Sequence, residues 1–277
     1  MTPDLTFGFS PCPNDTFSFH ALIKGLVPCP GFRVRAHLAD VEELNQRALQ
    51  KEFELTKLSF HALGRVLDHY ALLKAGSALG RGCGPLLVTR PGDMPQDLTQ
   101  ALVAVPGRLT TAHLLLSLYL GCKPRVEAME FSQIMAAVAQ GRIQAGLVIH
   151  EGRFTYQRLG LVSMVDLGQW WEEKTGLPIP LGCIAVRRDL GPEAAAVLEK
   201  AVAASVGWAR SHPGDSQAYV LKHAQEMEPE VVRQHIELYV NDFSLDLGEE
   251  GLLAVEKMLE LGRKSGLIPP SQSPLTW

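Results

Sequence analysis

Apolar residues recur along this chain in two alternating rhythms. In Leu5–Ser10 the positions Leu5, Phe7 and Phe9 fall every second residue, which predicts a strand with one buried face. Asp15–Gly25 predicts a helix. Phe32–Leu38, Glu54–Ser59, Ala71–Lys74 and Pro85–Thr89 read as further strands, with helices at Val41–Lys51 and His61–Tyr70. A second block repeats the alternation. Its strands are Leu102–Val105, Arg125–Met129, Ala145–Ile149 and Leu161–Val165, and its helices Thr110–Tyr119 and Phe131–Gln140. Ala145–Ile149 is apolar almost throughout, as expected of a strand covered on both faces. A strand at Cys183–Val186 opens a helical tail: Pro192–Arg210, Ser216–Glu226, Pro229–Val240 and Gly248–Gly262. The pattern predicts an α/β fold with largely parallel sheets flanked by helices.

Two turn-rich segments, Arg90–Pro95 and Thr175–Pro180, bracket the second block. Their positions predict a larger discontinuous lobe, residues 1–89 plus 182–277, with a smaller lobe, residues 90–181, inserted into it. Two crossing segments then form a hinge, and ligand binds in the cleft between lobes. A single doubly wound sheet is the structural alternative.

Composition narrows the function. With 46% hydrophobic and 20% charged residues, the 277-residue chain can bury a sizeable core. A net charge of −4 without a Lys/Arg run argues against nucleic acid as partner. The longest apolar uncharged run, Leu109–Cys122, is too short to cross a membrane. The N-terminus has no basic, apolar signal segment. Five cysteines, an odd count with no C-x-x-C, point to reduced thiols in the cytoplasm rather than disulfides or a cysteine zinc site. There is no H-E-x-x-H, nucleophile elbow or nucleotide loop. The glycine-rich Gly76–Gly84 leads into a strand, the wrong context for dinucleotide binding. No cofactor and no metal are expected, and the oligomeric state is not legible.

In open sheets of this kind, ligands sit beyond the C-terminal ends of strands. Four such places carry chemistry. Ser10-Pro11-Cys12-Pro13-Asn14-Asp15 offers Ser10, Asn14 and Asp15 as cleft groups or as helix caps. Thr56-Lys57-Leu58-Ser59 ends a strand, with Ser59 either a cap or a ligand hydroxyl. Pro106–Ala112 is a glycine turn into a helix start, where free amides and the Thr110 and Thr111 hydroxyls suit a carboxylate or serve as a cap. His150 ends the Ala145–Ile149 strand, and of nine histidines it is the best placed for proton transfer. Arg81 could reach the ligand. Gln169-Trp170-Trp171 could stack on an aromatic substrate or simply pack.

The Ser10–Phe17 block, Thr56–Ser59, Ala78–Gly82, Pro106–Ala112, Ile149–Tyr156 and Val240–Asp246 together resemble the 1,4-dihydroxy-6-naphthoate synthase family of the futalosine route to menaquinone. The resemblance implies a two-lobed, type II periplasmic-binding-protein-like fold. It implies a lyase that converts cyclic dehypoxanthine futalosine to 1,4-dihydroxy-6-naphthoate and dihydroxyacetone. The family's base would fall on His150, and its substrate-binding segments on Lys57, Leu58 and Ser59 and on Thr111 and Ala112. We add Thr110, Asn14 and Asp15 as candidate binding groups. The implied partner is a small aromatic carboxylate bearing a sugar-derived ring. The alternatives are chorismate dehydratase of the same pathway and a non-catalytic small-carboxylate-binding protein.

Overall fold

The computed structural model describes residues 3–224 and 228–277. The chain begins with β1 (Asp4–Phe9), α1 (Pro13–Ile23), β2 (Arg33–Leu38), α2 (Val41–Leu49), β3 (Leu55–Ser59), α3 (Phe60–Val66), β4 (Tyr70–Leu72) and β5 (Ala78–Gly80). It continues with β6 (Leu86–Thr89), β7 (Leu102–Val105), α4 (Thr111–Leu120), β8 (Arg125–Ala128), α5 (Phe131–Ala139), β9 (Ala145–Val148), α6 (Gly152–Thr155), β10 (Val162–Asp166) and α7 (Leu167–Thr175). It returns through β11 (Ile179–Arg187) to α8 (Gly191–Ser211), α9 (Gln217–His223), α10 (Pro229–Tyr239), α11 (Asp242–Leu245) and α12 (Gly248–Lys264). The sequence helix Ser216–Glu226 is matched by α9. Its residues 225 and 226 lie outside the described residues.

Two sheets organise these elements. The first has the order β2-β1-β3-β11-β4, with β5 also on β11, and the second β10-β6-β9-β7-β8. Strands β1–β2, β1–β3, β7–β8 and β7–β9 pair in parallel. Strand β11 is antiparallel to β3, β4 and β5, and β6 is antiparallel to β9 and β10. Each sheet is therefore mixed, not mostly parallel. The antiparallel members are led by β6 and β11, the strands that carry the chain from one sheet to the other, so they enter against the direction set by the β–α units. A lobe boundary at residue 89 assigns β6 to the first lobe, whereas its pairing lies wholly in the second sheet. Strand β11 already belongs to the first sheet at Ile179, ahead of residue 182.

Period-2 burial in β1 aims Phe7 and Phe9 at Phe19 of α1, with ring centroids 5.0, 4.9 and 5.4 Å apart. Leu198 and Val202 of α8 close this core. On the opposite face, Leu58, Phe60 and Leu63 join Leu87, Val103, Leu115 and Trp171 in one apolar cluster that runs beneath both sheets. At the hinge, a Cβ on Gly84 would fall 2.3 Å from the Gly168 backbone, so only glycine lets α7 dock there. Helix α7 has the signals the tryptophan pair obscured. Asp166 caps it by accepting from the Gly168 and Gln169 amides, and Gly176 ends it in the left-handed region.

The tryptophans are packing residues. Trp171 is fully buried and donates its indole N–H to Pro178 O at 3.0 Å, while Trp170 meets Tyr119 edge-on. Exposed Arg81 donates to Gly176 O and to Glu250 at 2.8 Å and is absent from the cavity wall described next. The Gly76–Gly84 segment contains strand β5, paired with β11.

Candidate active site

A cleft between the two sheets encloses about 660 Å³ of space, part of it open to solvent. The β1–α1 turn contributes Ser10, Asn14 and Asp15, and strand β3 contributes Lys57 and Ser59. The start of α4 gives Thr110, Thr111 and Ala112, and the end of β9 gives His150. Leu181 and Gly182 of β11 and Tyr239 of α10 complete the wall. Of the residues singled out from the sequence, the structure brings these nine together: Ser10, Asn14, Asp15, Lys57, Ser59, Thr110, Thr111, Ala112 and His150. Leu58, like Arg81 and Trp170, is not on the wall. Successive residues of a strand point to opposite faces, so with Lys57 and Ser59 on the cleft, Leu58 is fully buried in the core beneath.

The β1–α1 corner is charged and self-neutralised. Lys57 Nζ lies 2.6 Å from Asp15 Oδ1, both side chains buried. Asp15 Oδ1 also accepts from Asn14 Nδ2 at 2.8 Å, and its Oδ2 accepts from the Ser10 amide at 3.2 Å. Asn14 and Asp15 line the cleft, and α1 starts without a side-chain cap bond. Ser59 likewise makes no cap bond. Its hydroxyl accepts from Asn45 Nδ2 at 3.2 Å while its amide donates to Asn45 Oδ1.

The start of α4 is built differently. Thr110 is a true cap, accepting from the His113 amide. Upstream, the Arg108 and Leu109 amides already donate to a carboxylate, that of Glu42 from α2, at 3.1 and 3.0 Å. Burial pushes the Glu42 carboxyl upward. Gly107, at φ 154°, makes room, since a Cβ there would sit 2.3 Å from Glu42 Oε2. The Thr111 hydroxyl accepts from the Phe60 amide at 3.0 Å and donates to Leu181 O at 2.6 Å. The first-turn amides of Thr111 and Ala112 have no acceptor inside the helix. Both residues line the cleft.

His150 follows β9 with φ 53°, a left-handed conformation uncommon outside glycine but one that histidine, like asparagine and aspartate, adopts more often than most residues. Its ring has Phe131 edge-on at 5.1 Å on one side and His235 of α10 stacked at 6.0 Å, 14° from parallel, on the other. Burial, and secondarily the Lys57 ammonium, pushes its pKa down to about 4. A half-buried ring that keeps some exposure to the cleft is thus neutral at physiological pH. That is the form able to accept a proton.

Ligand atoms of Cys12, His150 and Glu151 lie within 4.8 Å of one another, a donor set that sequence spacing does not show. Burial, with the Glu151 charge behind it, raises the Cys12 thiol well above its ordinary pKa and holds it protonated. This disfavours metal ligation by a thiolate. Glu42, Asn45, His235, Tyr239, Leu181 and Gly182 escape the sequence reading. Only Glu42 had a local signal, an acid just inside a helix capped by Asp40, and that signal reads as a dipole partner rather than a clasp on another helix.

Known proteins share this chain's features. A family model described as "Menaquinone biosynthesis" matches residues 5–264. A 1,4-dihydroxy-6-naphthoate synthase from Thermus thermophilus is 52% identical over 271 residues, covering 98% of each chain. One from Streptomyces coelicolor is 48% identical, covering 96% of this chain and 95% of its own. A Candida albicans protein described as having the generic periplasmic binding protein fold superposes with a TM-score of 0.70 at 11% identity, over 98% of this chain and 92% of its own. The two-lobed architecture of that fold is the one seen here.

Proposed function

The chain belongs to the menaquinone-biosynthesis family, and from that premise we propose that it is a carbon–carbon lyase converting cyclic dehypoxanthine futalosine to 1,4-dihydroxy-6-naphthoate and dihydroxyacetone. The observation that carries the reading is a neutral imidazole, His150, facing a cleft with amide donors at one end and a charged polar corner at the other. The aromatic carboxylate docks at the Thr111 and Ala112 amides with the Ser59 hydroxyl nearby, where the helix start favours an anion. Lys57, Asn14 and Asp15 hold the polyol end beside His150.

His150 takes a hydroxyl proton from the sugar-derived part. The alkoxide becomes a carbonyl as the adjacent carbon–carbon bond breaks, and the bond's electron pair passes into the ring system. That system gains aromaticity as the naphthalene diol, which drives the step. Closure of the lobes excludes water from the developing charge. The five free thiols favour a cytoplasmic location, and no helix among the described residues is long and apolar enough to cross a membrane.

Purified protein incubated with the futalosine substrate should yield the naphthoate by mass spectrometry. Substrate bound but unchanged would reject the lyase reading, and conversion of chorismate instead would identify the sibling activity. In His150→Ala, turnover should fall about 10²–10⁴-fold. The base works unprotonated, so kcat/KM should stay level through pH 6.5 and fall only as pH approaches about 4. The unfolded chain binds that proton more tightly than the folded one, so stability also falls between pH 6.5 and 4. Circular dichroism at each pH separates the two losses. An acidic limb at pH 6.5 in a folded enzyme would show that burial does not depress His150, and a pH profile unchanged in His150→Ala would remove it as the base.

A further inference from the structure

His235 is fully buried on α10, a helix attached to the first sheet, yet its ring lies against His150, which belongs to the second. Its orientation is fixed by a chain of hydrogen bonds. Lys57 Nζ and Asn14 Nδ2 both donate to Asp15 Oδ1. With its amide nitrogen turned to that carboxylate, Asn14 presents Oδ1 to His235 Nε2 at 2.9 Å. A flipped Asn14 would set its oxygen against the carboxylate. With Asn14 so oriented, Nε2 is the nitrogen that donates to it. Nδ1 faces Glu151 Oε2 at 3.9 Å, and Tyr239 packs on the ring at 4.7 Å.

We infer that His235 is a positioning residue for His150: a buried ring, held by Asn14, that lies nearly parallel to the base at 6.0 Å between centroids and limits its orientation when the two lobes are together. The inference rests on the reading of His150 as base. Two rings from different lobes flank the ring of His150 and align it. Phe131 is the neighbour within its own lobe. His235 is the one brought by the other lobe, so the base is aligned only in the closed arrangement. The same chain of bonds ties that alignment to Asn14 and Asp15, which line the cleft.

Two variants separate ring from hydrogen bond. His235→Gln keeps a donor for Asn14 and removes the ring, while His235→Phe keeps the ring and removes the donor. With the futalosine substrate, His235→Gln should lose about ten- to a hundredfold in kcat with KM little changed. His235→Phe, which keeps the ring but loses the bond to Asn14, should recover part of that loss. Near-UV circular dichroism and naphthoate binding confirm that each variant is folded. His235→Gln with normal kcat, a loss confined to KM, or His235→Phe as impaired as His235→Gln would each overturn the inference. If neither variant folds, ¹⁵N shifts of the unmodified protein decide: the Nε2–H tautomer supports it, and Nδ1–H overturns it. His150→Ala run in parallel distinguishes the failures. Retained turnover there sinks the base itself, whereas its loss beside a normal His235→Gln sinks only the role of His235.

Discussion

Two corners flank the cleft, each at the start of a helix, and they handle negative charge in opposite ways. At α1 the acid and its partners belong to one lobe: Asp15 is neutralised by Lys57 and held by Asn14 and the Ser10 amide. At α4 the anion is borrowed, because Glu42 reaches from α2 on the first sheet to amides on the second. The first corner can persist whatever the lobes do. The second exists only with the lobes together. A helix start that looks like a ligand site can thus be divided, its upstream amides used as a clasp and the Thr111 and Ala112 amides left to the cleft.

The sharpest way to break this contrast is to remove one charge from the self-contained corner. Lys57→Met leaves Asp15 buried without its cation, and breaking such a pair typically destabilises by about 3–5 kcal/mol. Urea unfolding measures it. A loss below about 1 kcal/mol would show that Asn14 and the Ser10 amide suffice.

Glu42→Gln probes the borrowed corner with little change of shape. The charge-assisted bonds to Arg108 and Leu109 weaken, and the expected loss is about 1.5–3 kcal/mol. It should be accompanied by a larger radius of gyration in solution scattering as the lobes part. An unchanged radius would show that closure does not depend on this clasp. Thr111→Val is the mildest change. It removes the bonds to Phe60 and Leu181, worth about 1 kcal/mol together after solvation. The helix amides remain, so KM should rise modestly while kcat holds. A large fall in kcat would place the Thr111 hydroxyl on the reacting atoms.

Much of this site was legible because its residues sit at strand ends, and strand ends follow from alternation. Ser10, Lys57, Ser59 and His150 were found that way. The resemblance put Leu58 in the same binding segment as Lys57 and Ser59, but a three-residue motif says nothing about which of its side chains face the cleft until the strand is given its partners. Strand β6 is likewise recognisable as a strand but not as a member of the second sheet, since its sheet is fixed by pairing with β9 and β10, far along the chain. His235 lies in an ordinary amphipathic helix, and nothing local distinguishes a buried histidine that packs from one that carries a base.

The sequence by itself determined the alternation of elements, the apolar face of β1 and the strand ends where chemistry could sit. These depend on residues within a few positions of one another, where periodicity and hydrogen-bond chemistry act directly. Tertiary structure decided which strands share a sheet, that Glu42 fills amides 66 and 67 residues away, and that Asn14 and His235 meet across 221. Such contacts form only when packing of the two lobes brings distant segments together, and no local pattern encodes the partner.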